Sequence, residues 1–168
     1  NVSQFNYTYG DFGFSRKLSK HFKFALDYVF VLKQLETHLS KRHQWYADIT
    51  FKSKISRNLE INIREMFQQQ VQDIYSSERG RYPENLFRSK TTLKYSFPYF
   101  PLDRFSPYFA WETYYHIDNN DKYGPGFVRN RYFIGSYYNF NKRTSIELYY
   151  LFEKNFNISN APTNYIYG

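Results

Sequence analysis

The chain has 168 residues and a formal charge of +8, from 23 basic and 15 acidic side chains. It contains no cysteine, which excludes disulfides and thiolate metal sites, and no run approaches the roughly 18 apolar residues that a membrane helix needs. Aromatic residues make up 23% of it, with 19 Tyr and 18 Phe against 2 Trp, a surplus suited to strands that present rings at a water–lipid boundary. The basic residues are spread over turns, strands and loops without a recognised reader motif, so nucleic acid is not an expected partner.

Alternation of apolar and polar residues at period two marks a strand with one apolar face, and here it recurs almost end to end. Predicted strands fall at 3–16, 21–33, 44–55, 59–73, 86–97, 104–117, 126–140, 144–156 and 163–168. In the first, the apolar phase switches from Phe5, Tyr7 and Tyr9 to Phe12 and Phe14 across Gly10-Asp11, as a β-bulge would require. After the second, Leu32 to Leu39 reads as loop or as a short helix. In the third, Trp45, Ala47, Ile49 and Phe51 oppose Tyr46, Asp48, Thr50 and Lys52. In the fifth, Phe87, Leu93 and Tyr95 oppose Arg88, Lys90 and Lys94; in the eighth, Ile146, Leu148, Tyr150 and Phe152 oppose Glu147 and Glu153.

Tight polar turns at 16–20, 56–58 and 141–143 alternate with longer loops at 33–43, 74–85, 118–125 and 157–162. Outer-membrane barrels are built with that rhythm, and strands of about 11 to 15 residues suit a tilted bilayer crossing. The expected fold is therefore all-β: one antiparallel up-and-down transmembrane β-barrel domain of about 8–12 strands, about 9 of them visible. The chain begins without Met and stops at Tyr165-Ile166-Tyr167-Gly168, which reads as the opening of a strand. The expectation is a processed or incompletely represented protein, short of a signal peptide and of outer strands.

Two architectures share this alternation. A soluble lipocalin-like barrel puts the apolar set inside, and a membrane barrel turns it outward to lipid. Charges of both signs at matching depth on successive strands suit a polar lumen, and the rings exceed what a small interior packs at native density. The expected luminal network is Asp48, Arg64, Arg88, Lys90, Glu112, Arg129, Arg131 and Glu147. Side chains can fill an interior of this size, and buried charges must be paired. A plug of salt bridges is the preferred reading, and a narrow anion-selective pore is its alternative.

Little else in the sequence carries chemistry. His38 and His43 share a loop with Glu36, but two ligands without a third read as solvated loop, and no metal is expected. Ser106 or Ser136 with His116 is a conceivable nucleophile and base for a lipid-modifying enzyme, yet nothing in one dimension brings them together. His116 near Tyr114 and Asp118 reads as a rim residue, and neither a catalytic residue nor a cofactor is expected. Lys17, Lys20, Arg57, Lys142 and Arg143 in turns either meet lipid phosphates or are solvated.

Several stretches in order carry a family likeness: Arg42-His43-Gln44-Trp45-Tyr46-Ala47-Asp48, then Ile63-Arg64-Glu65-Met66-Phe67-Gln68, then Phe87-Arg88-Ser89-Lys90-Thr91. Pro107-Tyr108-Phe109 with Glu112, Arg129-Asn130-Arg131-Tyr132 and Tyr149-Tyr150-Leu151-Phe152 follow. Together they resemble the DUF2490 family, small outer-membrane β-barrel proteins of Gram-negative bacteria. The resemblance implies a bacterial outer-membrane location, lipopolysaccharide and phospholipid as surroundings, and other outer-membrane proteins as partners. It supplies no catalytic residues. The expected role is a structural or accessory subunit of an outer-membrane assembly; the alternatives are a narrow channel for ions or small solutes, a lipid-modifying enzyme and a soluble lipocalin-like carrier.

Overall fold

The computed structural model describes residues 7–34, 39–72, 83–99, 101–118, 125–141, 144–156 and 165–167. Its strands are β1 (Tyr7–Lys17), β2 (Phe22–Gln34), β3 (Leu39–Lys54), β4 (Leu59–Gln72), β5 (Glu84–Tyr95), β6 (Phe105–His116), β7 (Gly126–Asn139), β8 (Ser145–Asn155) and the short β9 (Tyr165–Tyr167). A 3-10 turn, Leu102–Arg104, leads into β6. The nine form one sheet in sequential order, each strand antiparallel to the next. This is an up-and-down sheet curled into a half-barrel, and the curl brings β1 residues Ser15 and Lys17 to the same cavity as Tyr137 of β7.

Burial is the reverse of that in a soluble barrel. Along β6, the even positions Ser106, Tyr108, Ala110, Glu112, Tyr114 and His116 are all buried, and they face the concave side. The odd positions Phe105, Phe109, Trp111 and Tyr115 are exposed on the convex side. Every other long strand keeps that parity through its register, so Arg88, Lys90 and Lys94 stand opposite Tyr114, Glu112 and Tyr108. Ring pairs on the convex wall gather near both strand ends: Phe22–Phe51, Tyr95–Phe97 and Tyr138–Phe140 by the short turns, Tyr115–Phe127 by the longer loops. The one buried hydrophobic cluster among the described residues is small: Tyr108, Ala110, Phe133 and Leu151.

The short turns close with side-chain oxygens. Ser19 Oγ accepts from the backbone N–H of His21 and of Phe22, Ser56 Oγ from Asn58 and Leu59, and Asn141 Oδ1 from Thr144. Such local bonds hold a reversal that has no other partner for its amides.

Three expectations are corrected. β3 starts at Leu39, five residues before the expected 44, because Ser40 and Arg42 continue the inward set; Ser40 is fully buried. Leu32–Gln34 and Leu39 are strand, so the short helix does not form at those positions, while 35–38 lie outside the described residues. The bulge expected at Gly10-Asp11 is absent, and β1 pairs β2 without a break from Tyr7↔Lys33 to Lys17↔Lys23. The apolar phase switch there falls at an exposed strand, where neither face is packed tightly enough to force a register change. The register break lies instead between Tyr114 and Tyr115, where β7 carries Val128 as an extra residue between Arg129 and Phe127.

Candidate functional site

The concave face carries one connected polar network over five strands. Arg88 Nη1 donates to Gln68 Oε1 at 3.0 Å, and its Nη2 reaches Glu112 Oε1 at 2.8 Å. The hydroxyl of Tyr114 donates to Glu112 Oε2 at 3.2 Å and accepts from Arg131 Nη1 at 2.6 Å. Arg131 Nε continues the chain to Glu153 Oε2 at 2.6 Å. Arg129 Nε lies 3.4 Å from Glu153 Oε1 and donates to Asn155 Oδ1 at 2.9 Å. Arg64 approaches Glu112 from β4 at 3.7 Å.

Tyr114 holds the centre. The guanidinium carbons of Arg88, Arg131 and Arg129 stand 4.6, 5.1 and 5.4 Å from its ring centroid. Three cations share one ring, Arg88 from β5 and Arg129 and Arg131 from β7, which eases the repulsion among them that two carboxylates alone would leave. Glu112, Glu153, Arg88 and Arg131 are tolerated here because each has both an opposite charge and hydrogen bonds.

Each expected luminal residue faces the concave side, but they do not form one cluster. Arg64, Arg88, Glu112, Arg129 and Arg131 belong to the network. Lys90 is opposite Glu112 in register, and its ammonium lies 4.1 Å from the Phe133 ring. It reaches over β6 because the residue between is Ala110, which has no bulk to block it. Asp48 stands apart, buried opposite Ala25 and Met66, with Thr50 Oγ1 donating to it at 3.3 Å. Glu147 accepts instead from Tyr108 at 2.6 Å, near the short-turn end. Gln68 and Glu153, expected on the polar face but not in the network, join it, and Tyr114 and Asn155 were not expected at all. Their signal was parity: all have the same face as Glu112 when read strand by strand.

At the longer-loop rim His116 is fully buried, with Nδ1 2.9 Å from the Asp118 carbonyl and Nε2 3.7 Å from Glu84. Asp118 also takes two bonds from Asn85 of β5. Ser106 shares β6 with His116 but sits near its other end, on the order of 30 Å away at about 3.3 Å per residue. Ser136 stands opposite Pro107 on the convex side. Neither serine meets His116. His43 also faces outward, where Tyr28 bonds its Nδ1 at 2.6 Å; His38 and Glu36 lie outside the described residues. No group of three metal-ligating side chains is present among the described residues.

One transverse row of directly opposed residues sums up the electrostatics. From β5 to β8 it reads Lys90, Glu112, Arg131, Glu153, alternating in sign. From β1 to β4 it reads Lys17, Lys23, Thr50, Arg64, with no carboxylate. A family model, Protein of unknown function (DUF2490), matches residues 1–164. The chain belongs to the DUF2490 family. No curated protein and no solved structure matches it. Asp11, Asp27, Asp48 and Glu60 share the concave face of β1 to β4, so the cation excess is confined to the short-turn end. For this DUF2490 member, the arrangement on the concave wall is thus the guide to function: an interlocked half and a cation-rich short-turn end.

Proposed function

We propose that this DUF2490 chain is an integral outer-membrane β-barrel protein, acting as a structural or accessory subunit of a membrane assembly. Its lumen is closed to conduction by the network around Glu112 and Tyr114. The observation that carries the reading is the reversed polarity of the curved sheet. Leu148, Ile134 and Trp111 are 67%, 65% and 46% exposed on the convex side, while Glu112 is 3% exposed on the concave side. In water, so extensive an apolar wall is an aggregation surface; acyl chains cover it at no such cost. Strands of 11 to 16 residues from β1 to β8 exceed the roughly 9–11 that a tilted crossing needs.

The subunit role is supported by a polar row on the convex wall. Glu65, Ser89, Thr113 and Asn130 stand directly opposite one another on β4 to β7, and Ser89 Oγ donates to Glu65 at 2.8 Å. Facing lipid, a carboxylate and an amide there are unfavourable. Facing another outer-membrane protein that offers hydrogen-bond donors, they supply specificity. The test is extraction of native outer membranes in mild detergent with a photoreactive residue at Thr113. The expected result is a stoichiometric partner joined through that position. A lone barrel that conducts ions in planar bilayers removes the subunit reading and favours the channel.

A further inference from the structure

We infer that the cation-rich short-turn end of the concave wall is a binding site for a polyanion carrying two or more phosphate groups. A cavity of about 1010 Å³ lies there, reaching the short-turn end at Ser19 and Lys20. Seven cations line it: Lys17, Lys20, Lys23, Lys52, Arg64, Lys90 and Lys94. Glu60 is the sole carboxylate among the described lining residues, and it is already engaged by Lys52 at 3.1 Å and Lys94 at 3.6 Å.

The register adds a second, independent observation. Lys17 is directly opposite Lys23, and Arg64 is directly opposite Lys90. Directly opposed side chains on an antiparallel pair have Cβ atoms roughly 4.5–5.5 Å apart, where like charges are destabilising. Arg64 and Lys90 also face Glu112, so the Lys17–Lys23 pair at the short-turn end is the like-charge contact that an anion there relieves. The remaining chemistry narrows the anion. Thr50, Thr92, Asn62 and Tyr137 interleave neutral hydrogen-bonding groups with the cations, so the ligand is hydrophilic. Six of the seven cations are lysines, flexible point charges that suit phosphate oxygens in several poses rather than one planar carboxylate. The volume is in the range of small-molecule sites and far beyond one phosphate.

The site depends on the curl of the sheet and not on where the protein resides, so it stands or falls separately from the membrane reading. The experiment is calorimetric titration of the full chain in neutral detergent with tripolyphosphate and, separately, with inorganic phosphate. Tripolyphosphate should bind saturably, at least about tenfold tighter than phosphate, since each added charge-assisted contact is worth about a factor of ten. Rising sodium chloride should weaken it steeply. The K17Q/K23Q variant should lose at least about tenfold in affinity, and without anion should melt higher than the parent because that like-charge pair is gone. K154Q, beyond the cavity on the convex wall, should change neither. Absence of saturable tripolyphosphate binding, affinity indifferent to salt, or equal weakening by K154Q overturns the inference. Micelles doped with phosphatidylglycerol identify the source: displacement of tripolyphosphate assigns the phosphates to lipid headgroups, and no displacement assigns them to a soluble compound.

Discussion

Glu112 is the residue on which the interlocked half of the lumen turns. It takes Arg88, Arg64 and the Tyr114 hydroxyl, and almost none of it reaches solvent. Glu112→Gln keeps the shape and removes the charge, leaving two guanidiniums without their anion. Unfolding in urea, followed in detergent micelles, should show a loss of about 3 kcal/mol. The R88M/E112Q double substitution should recover much of it, because a buried pair replaced by apolar volume is often neutral. Unchanged stability in E112Q would mean that water, not protein, compensates Glu112. Sequence parity alone put Arg88, Glu112 and Arg131 on one face. It could not say which carboxylate sits at the depth of the arginines, since depth follows from register. Glu147 was therefore expected among them, whereas Glu153, further along the same strand, does that pairing and Glu147 serves Tyr108.

Among the elements, β7 shows how a gap in one strand positions its neighbours. Gly135 faces inward between Tyr108 of β6 and Tyr149 of β8. A Cβ there would stand 2.6 Å from Tyr149 Cβ, 2.7 Å from the Leu148 carbonyl oxygen and 2.9 Å from Tyr108 Cε1. Two of these contacts are backbone or stem atoms that cannot swing away, so the absence of a side chain lets the Tyr108 ring lie across β7 and reach Glu147. Gly135→Ala should cost about 1–3 kcal/mol by overpacking and lower the melting temperature of the folded barrel. Parent-like melting would show that β7 and β8 separate freely. The strands themselves were legible because period two is a property of local sequence; their starts were less so. Leu39 to His43 looked like loop for its charges, yet Lys41 and Arg42 are ordinary strand residues once one face is allowed to be polar. The register break between Tyr114 and Tyr115 had no local mark, because it is set by how two strands fit rather than by either one.

For the molecule as a whole, one question governs the others: whether the convex wall meets acyl chains or water. The charge of +8 does not answer it, since most cations and carboxylates lie on the concave wall and in the turns, with a few such as Glu65 and Lys154 outside. The two tryptophans do. Trp45 and Trp111 are the only ones in the chain; both lie on the convex wall, 55% and 46% exposed, on strands three apart in the sheet. They are therefore reporters of a single face, free of any signal from the lumen. In vesicles of lipids brominated along their acyl chains, the emission of both should be quenched strongly, and iodide in the aqueous phase should quench little. Trp45→Phe and Trp111→Phe, made singly, should each leave a residual emission with the same behaviour. Iodide quenching without bromolipid quenching would put the apolar wall against water or against another soluble copy. On the concave wall an apolar ligand would meet only the small cluster of Tyr108, Ala110, Phe133 and Leu151 among many charges. The larger apolar surface would be the convex one, so the protein would have to associate through its outer rings to remain in solution.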